Sequence, residues 1–242
     1  MKRIEFTYEY LNTELAAMID AGYAIISCID YLHYKKAGTL APKTIVLRVD
    51  VDLSLKKAER LLNIFSKLNI KATFFIRLHA PEYNPFSFEN YRIVKEMIRL
   101  GHEIGYHSEV IDEAHIWNEN AEDCLVRDIA VFNTMFGVTI RGVASHGGMT
   151  GLNNLDFWKN RIPAEFNLLY EGYDKEHAYN IFQEAFYVSD SEWVRWKCYD
   201  KGVKMEGDHR SPSEHTADNR PLIHLLVHPD TYYKSNFYDN EK

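Results

Sequence analysis

The fold of this chain is decided by one stretch, Ile45-Val46-Leu47-Arg48-Val49-Asp50-Val51-Asp52. Its first five residues are rich in branched side chains and follow Pro42, a pattern that predicts a short buried strand. Asp50 and Asp52 stand at positions i and i+2, so in extended backbone both carboxylates project from the same side. Adjacent acids repel each other, and a cation that neutralises one would leave the other as a general base. The competing interpretation is a solvated turn that carries two acids.

Outward from this stretch, apolar strands alternate with amphipathic helices. Ser54 is the expected N-cap of the first of these helices, whose apolar residues fall on one face. Strands are predicted at residues 45–49, 72–76, 103–106, 138–144, 185–188 and 222–227, and helices at 55–68, 88–100 and 119–136. Repeated β-then-α units predict a parallel sheet with helices outside, either open and doubly wound or closed as a barrel.

Five polar residues favour the barrel. Each follows the C-terminal end of a predicted strand or lies just beyond it: Asp50, Asp52, His107, His146 and His228. Barrel enzymes place their sites on this face. We therefore predict an α/β barrel of irregular outline in a single domain over residues 1–242, with a leading helix and connector over 1–42 and the barrel core over 45–229.

The composition restricts the partners and the compartment. The formal net charge of −7 disfavours nucleic acid, whose binding depends on clustered Lys and Arg. The apolar stretches are far shorter than the roughly 18 residues of a membrane span. Acidic residues interrupt the N-terminal segment, so no secretory signal is predicted and the cytoplasm is the expected location. The three cysteines lack CxxC spacing, which predicts neither a disulfide framework nor a zinc knuckle.

The most specific motif is Gly101-His102-Glu103-Ile104-Gly105-Tyr106-His107-Ser108-Glu109. Its first glycine ends the preceding helix, a short strand follows, and His107 is delivered at the tip of that strand. His107 is therefore the candidate ligand. His102 lies near the beginning of the strand, at the opposite end of the barrel, and is assigned to structure.

Three segments, in this order and spacing, resemble the polysaccharide deacetylase superfamily of carbohydrate esterases: Val49–Asp52, Ala72–Phe75 and Gly101–Ser108. The resemblance covers residues 45 to about 110 and extends more loosely to 141–148 and 222–229. It implies a distorted (β/α) barrel. It also implies a divalent metal, often zinc, that serves to hydrolyse N-acetyl groups on amino sugars.

The resemblance also assigns roles around the metal. It implies that Asp50 is the catalytic base, that Asp52 is a metal ligand and that His107 is the first histidine of the second family motif. The family has another histidine four residues later, where this chain has Ile111. Because a catalytic metal normally has about three protein ligands, another residue must complete the site. His146 is the first choice, with Glu109 and Asp112 as the alternatives.

Two further roles come from the later family motifs. Arg141 falls where the family has an arginine that holds the catalytic aspartate, and a guanidinium fork suits a carboxylate. The segment Leu222–Pro229 is similar to the last motif, in which a histidine donates a proton to the departing amine. His228, at the end of the strand, fits this role better than His224.

Substrate contacts are assigned near residue 190. Asp190 follows a short strand, and it either tunes His228 or binds sugar hydroxyls. Trp193 or Trp196 would stack on a sugar ring. The competing interpretation of this segment is a solvent-exposed turn.

The predicted function is hydrolytic removal of an N-acyl group from an amino sugar or glycan precursor, and acetyl is the expected acyl group. One divalent ion, zinc by preference, is the predicted cofactor, and a carbohydrate or other small molecule is the predicted partner. One alternative is hydrolysis of a small non-sugar amide or imide on the same fold. The other, motivated by Ile111, is an inactive carbohydrate-binding relative.

Overall fold

The centre of the fold is a fully buried strand over Thr44–Val51. The computed structural model describes residues 4–174 and 179–236, and the strands in these ranges form one ten-stranded sheet. In chain order they are β1 (Ala24–Ile26), β2 (Thr44–Val51), β3 (Thr73–Ile76), β4 (Glu103–Ser108), β5 (Gly142–Ser145), β6 (Tyr170–Glu171), β7 (Phe186–Ser189), β8 (Lys197–Asp200), β9 (Val203–Lys204) and β10 (Leu222–Val227).

Helices connect these strands and cover the sheet. They are α1 (Tyr8–Asp20), α2 (Cys28–Ala37), α3 (Leu55–Leu68), α4 (Phe88–Arg99), α5 (Val110–Trp117), α6 (Ala121–Phe136), α7 (Ile181–Glu184) and α8 (Pro212–Thr216), with 3-10 turns at Asn154–Asn160, Pro163–Phe166 and Pro229–Thr231. The predicted N-cap of α3 is confirmed, because the Ser54 hydroxyl accepts a hydrogen bond from the Lys57 N–H. No helix in the described ranges is long and apolar enough to cross a membrane.

The strand order is β6-β5-β4-β3-β2-β10-β7-β8-β9, with β1 also paired to β2. The pairs from β6 to β7 are parallel, and β8 and β9 add an antiparallel edge. The α/β class with a largely parallel sheet is thus confirmed. Within the described residues the path ends at β6 and β9 without hydrogen bonds that join them, so the barrel is not closed by a continuous ladder.

The last strand lies at the middle of this sheet. β10 is hydrogen-bonded to β2 on one side and to β7 on the other, with Leu222 opposite Thr44 and Val227 opposite Val49. The carboxyl ends of β2 and β10 therefore meet at the same edge. This places the residues after both strands side by side.

The two faces of β2 pack against different parts of the molecule. Ile45, Leu47 and Val49 point outward into the main hydrophobic core under the helices. Val46 points inward, where it packs in a second cluster with Phe75 and other residues of the sheet interior. Since strand residues alternate between faces, Arg48 and Asp50 lie on this inner side as well. A buried polar pair thus occupies the interior of the sheet.

Gly105 on β4 is required by the close packing of this interior. A Cβ at this position would lie 2.4 Å from two ring carbons of Phe75. Forcing extra atoms into a packed core costs about 1–3 kcal/mol. We expect Gly105→Ala to lower the free energy of unfolding by about this amount, measured by denaturant titration.

Gly147→Ala is the matched control, because a Cβ there meets no atom within 4 Å. If the two alanine variants were equally stable, the packing argument for Gly105 would be wrong.

Candidate active site

The structure brings the three predicted metal ligands together. Asp52 follows β2, His107 lies near the end of β4 and His146 directly follows β5. One candidate ligand atom from each residue lies within 4.8 Å of the others. Three parallel strands whose carboxyl ends share one edge of the sheet thus deliver the three side chains to one point.

The orientation of His107 suits a metal ligand. Its Nδ1 lies 2.8 Å from the carbonyl oxygen of Ala144, which fixes the proton on Nδ1. Its Nε2 lies 3.3 Å from Asp52 Oδ1 and 3.4 Å from Asp50 Oδ2. Nε2 is therefore the atom that faces the two carboxylates and is available to a metal ion, which is the usual arrangement of a metal-binding histidine.

The donor atoms fit a divalent ion. Asp52 Oδ1 is buried and makes no hydrogen bond to any residue that the structure describes, and a buried polar atom of this kind requires a partner. One carboxylate with two imidazoles is a donor set of catalytic zinc sites, in which a fourth position stays open. The side chain of Asp112, an alternative third ligand, is instead occupied by hydrogen bonds to the backbone of Met149 and Thr150.

Asp50 is held by Arg48 and not by Arg141. Arg48 Nε and Nη2 donate to the two carboxylate oxygens of Asp50 at 2.8 and 2.7 Å, and both residues are buried. Burial acts to raise the pKa of Asp50, but the charge of Arg48 holds it below its ordinary value. Asp50 is therefore an ionised carboxylate fixed in a bidentate pair.

Arg141 lies elsewhere, which corrects the prediction for this residue. It precedes β5, is exposed, and lines a cavity with His102 and Glu103 at the amino ends of the strands. His146 follows the same strand at its other end, so the length of β5 separates Arg141 from the site. The signal that sequence reasoning missed is the i, i+2 spacing of Arg48 and Asp50 on one face of β2.

His228 and Asp190 form a buried pair on the other side of Asp52. His228 Nδ1 lies 2.6 Å from Asp190 Oδ1, and the His228 backbone N–H donates to Asp190 Oδ2 at 2.9 Å. The Nε2 of His228 faces Asp52 Oδ2 at 3.8 Å. Burial acts against the charged imidazole, but the Asp190 carboxylate raises the pKa of His228 to about 9. His228 is therefore protonated at neutral pH.

Asp190 is fully buried behind His228. The prediction that it contacts substrate is therefore corrected to its alternative, in which it orients and charges His228. Trp193, in the turn after Asp190, is 40% exposed, and its role in sugar stacking stays a prediction. Trp196 is fully buried and donates its indole N–H to the Tyr10 hydroxyl, so it belongs to the core.

His224 is excluded as the proton donor. It is fully buried inside the sheet, and burial together with the nearby charge of Arg48 lowers its pKa to about 3. An imidazole with this pKa is neutral at any physiological pH. This leaves His228, which directly follows β10, as the histidine that carries a transferable proton.

A family comparison agrees with the resemblance found in the sequence motifs. Residues 37–155 match the family model described as polysaccharide deacetylase. This segment contains Asp50, Asp52, His107 and His146, and it belongs to the polysaccharide deacetylase superfamily. The comparison with curated protein sequences gives no match.

Solved structures of similar fold have low sequence identity. A BA3943 mutant, described as a CE4 family pseudoenzyme with restored enzymatic activity, is 16% identical with a TM-score of 0.46, over 79% of this chain and 62% of that one. The Streptococcus pyogenes deacetylase PplD is 16% identical with a TM-score of 0.49, over 67% of this chain and 70% of that one. The Bacillus cereus polysaccharide deacetylase Bc1974 is 16% identical with a TM-score of 0.46, over 82% and 93%. This chain thus spans less than two thirds of the first of these proteins.

Proposed function

We propose that this protein is a metal-dependent hydrolase that removes an N-acyl group, acetyl in the first instance, from an amino sugar or glycan precursor. The observation that carries the proposal is the meeting of three functional parts at one edge of the sheet. These are a candidate ligand set around Asp52, an ionised carboxylate at Asp50 and a protonated imidazole at His228. Metal-assisted hydrolysis of an amide uses each of them.

Each of these parts has one task in the reaction. A divalent ion held by Asp52, His107 and His146 would polarise the amide carbonyl and acidify a water molecule. Asp50 removes a proton from the water as its oxygen bonds to the acyl carbon. His228 then gives its Nε2 proton to the nitrogen as the C–N bond breaks, because an amine leaves poorly without protonation. The products are a carboxylic acid and a free amine.

The balance of charge explains why the two proton-transfer groups coexist. Arg48 keeps Asp50 ionised, while Asp190 keeps His228 charged. Two groups with opposed protonation needs are thus each stabilised by a separate buried partner of opposite charge. This is the arrangement that general acid–base catalysis at neutral pH requires.

Ile111 motivated the alternative of an inactive relative, and His146 argues against it. The second histidine ligand that is missing at residue 111 is offered from the end of β5 instead. The alternative of a non-sugar amide substrate uses the same residues and is separated by substrate screening. The expected cytoplasmic location stays a prediction that cell fractionation tests.

The first experiment measures metal content. Purified wild-type protein is expected to carry one divalent ion per chain, and His107→Ala is expected to lose it, because two ligands rarely retain a catalytic metal. Acetate release from N-acetylated amino-sugar oligomers should disappear with the ion and return when zinc is added to chelated wild type.

His79→Ala is the matched control for this loss. His79 also lies beside two acids, with its Nε2 3.1 Å from Asp128 and 3.5 Å from Glu113. This group lies outside the proposed site, so the variant should keep its ion and its activity. If His79→Ala lost the metal and His107→Ala retained it, the ion would be bound at His79 and not at Asp52, His107 and His146. The proposal would then be wrong.

A further inference from the structure

The structure raises the question of how His146 is held in place. His107 lies on a strand, whereas His146 belongs to the loop that follows β5. A ligand that is free to move binds a metal weakly, because its ordering must be offset when the ion binds. The contacts of this loop with helix α5 show how it is fixed.

The backbone of the loop is fastened to α5. The side chain of Asp112 on α5 accepts hydrogen bonds from the N–H groups of Met149 and Thr150, both at 2.9 Å, and from the Thr150 hydroxyl at 2.6 Å. The N–H of His146 itself donates to the carbonyl of Ser108 at 2.9 Å. The loop is therefore anchored on both sides of the histidine.

Asn154 completes this attachment and caps the helix. Its Oδ1 accepts from the N–H groups of Ile111 and Asp112, at 3.0 and 3.1 Å, in the first turn of α5. Its Nδ2 donates to the carbonyl of His146 at 3.2 Å. One buried amide thus satisfies the open end of α5 and binds the residue that carries the candidate ligand.

Because Asn154 caps the helix, the side chain at the N-cap position is available for other contacts. Glu109 occupies that position, and its side chain makes no capping hydrogen bond. Its Oε1 lies 3.2 Å from His146 Nδ1 and 2.7 Å from Arg77 Nη2. Arg77 Nη1 donates in turn to the backbone carbonyl of Asp52 at 2.8 Å.

This chain of contacts is shielded from water. Glu109 and Arg77 are both only 3% exposed, so their attraction is little screened by solvent. Among the described residues, His146 Nδ1 makes no hydrogen bond, and Glu109 Oε1 at 3.2 Å is the acceptor beside it. With Nδ1 beside Glu109, Nε2 is the nitrogen that the imidazole can offer to a metal ion.

We propose that Glu109 and Arg77 are positioning residues for the metal site. Glu109 accepts a hydrogen bond from the Nδ1–H of His146 and so presents Nε2 to the ion, while Arg77 fixes both Glu109 and the backbone of Asp52. The carboxylate also makes the imidazole a stronger base and hence a better ligand. This inference rests on the proposed function, since it needs a metal at Asp52, His107 and His146.

The test is the affinity of chelator-treated protein for Co²⁺, followed by titration and by the visible absorption spectrum of the bound ion. Removing such an outer partner of a ligating histidine typically weakens metal binding 10–100-fold. We expect Glu109→Gln to weaken Co²⁺ binding about 10–100-fold and to leave the spectrum of the saturated protein unchanged, because the ligands themselves are unchanged.

Glu113→Gln is the matched control. It makes the same substitution on the same helix, at a buried glutamate that is also paired with an arginine, Arg127, but lies outside the candidate site. It should bind Co²⁺ like wild type. If Glu109→Gln binds no worse than Glu113→Gln, the role of Glu109 is only structural and the inference is wrong.

Two other results separate the remaining possibilities. If Glu109→Gln loses Co²⁺ as completely as His107→Ala, or changes the spectrum, Glu109 is itself a ligand and the positioning role is overturned. If wild type binds no Co²⁺ or Zn²⁺ at all, the proposed function fails instead.

Arg77→Lys tests the second positioning residue and does not depend on the folding of the glutamate variant. Lysine keeps the positive charge but lacks the planar guanidinium, whose Nη2 contacts Glu109 while Nη1 contacts the Asp52 carbonyl. Weaker Co²⁺ binding with an unchanged spectrum is expected. Wild-type affinity in the folded Arg77→Lys protein would remove Arg77 from the proposal.

Discussion

Asp50→Asn is expected to lower kcat by a factor of roughly 10² or more while the metal stays bound. The amide that replaces the carboxylate cannot take a proton from water at neutral pH. The ion should remain, because both oxygens of Asp50 are occupied by Arg48 and the three candidate ligands lie on other residues. Acetate release and metal content are to be measured on the same preparation.

The same substitution leaves Arg48 without its charged partner in a buried position. Breaking a buried ion pair on one side costs about 3–5 kcal/mol, so the variant must first be shown to be folded by circular dichroism. Metal lost from folded Asp50→Asn would reverse the roles of Asp50 and Asp52. Unchanged kcat would mean that another group accepts the proton.

His228→Gln is expected to remove the proton donor without removing the metal. On amide substrates with strongly basic amine leaving groups, the loss in kcat should reach roughly 10²–10⁴-fold. An activated ester, whose leaving group needs little protonation, should lose much less. Equal losses on amide and ester at unchanged metal content would show that His228 positions substrate or supports the fold.

The pH dependence provides an independent measurement of the same residue. His228 works as an acid only while protonated, so kcat should fall as pH rises through the raised pKa, at or below about 9 once a cation lies near Asp52. The carboxylate of Asp190 is what raises this pKa. Asp190→Asn should therefore move the alkaline limb to lower pH, and a limb that stays in place would contradict this coupling.

The strands that carry the site could be predicted from the sequence because each is an apolar run that ends in a polar side chain. This pattern correctly placed β2, β4 and β10 and brought Asp52, His107 and His228 to one edge. It works because parallel strands are buried on both faces, so a polar residue marks the point where the strand emerges.

Arg48 could not be recognised in this way because it breaks the apolar pattern of its own strand. A buried arginine is tolerated only where a carboxylate accepts its hydrogen bonds, and here the partner is two residues along the same face. The family motif directed attention to Arg141 instead. Only the position of residue 141 relative to β5 shows that it lies at the amino end of this strand, away from the candidate site.

The less regular segments account for most of what the sequence pattern missed. The region predicted as a connector within residues 1–42 contains β1, which pairs with β2, and α2. The short strands β6, β8 and β9 consist of two to four residues each. Elements this short have too few alternating positions to produce a periodic signal, and their conformation depends on neighbours that are distant in sequence.

The position of β10 between β2 and β7 also sets the order in which the protein can mature. A nascent chain cannot complete the middle of its sheet until residues 222–227 have left the ribosome and paired with residues 44–49. Pairings this distant in sequence form slowly, because a long loop must close first. Since His228 follows β10, the candidate ligands are synthesised well before the proton donor. A product arrested before residue 222 would carry every candidate ligand for the ion but no acid to release an amine.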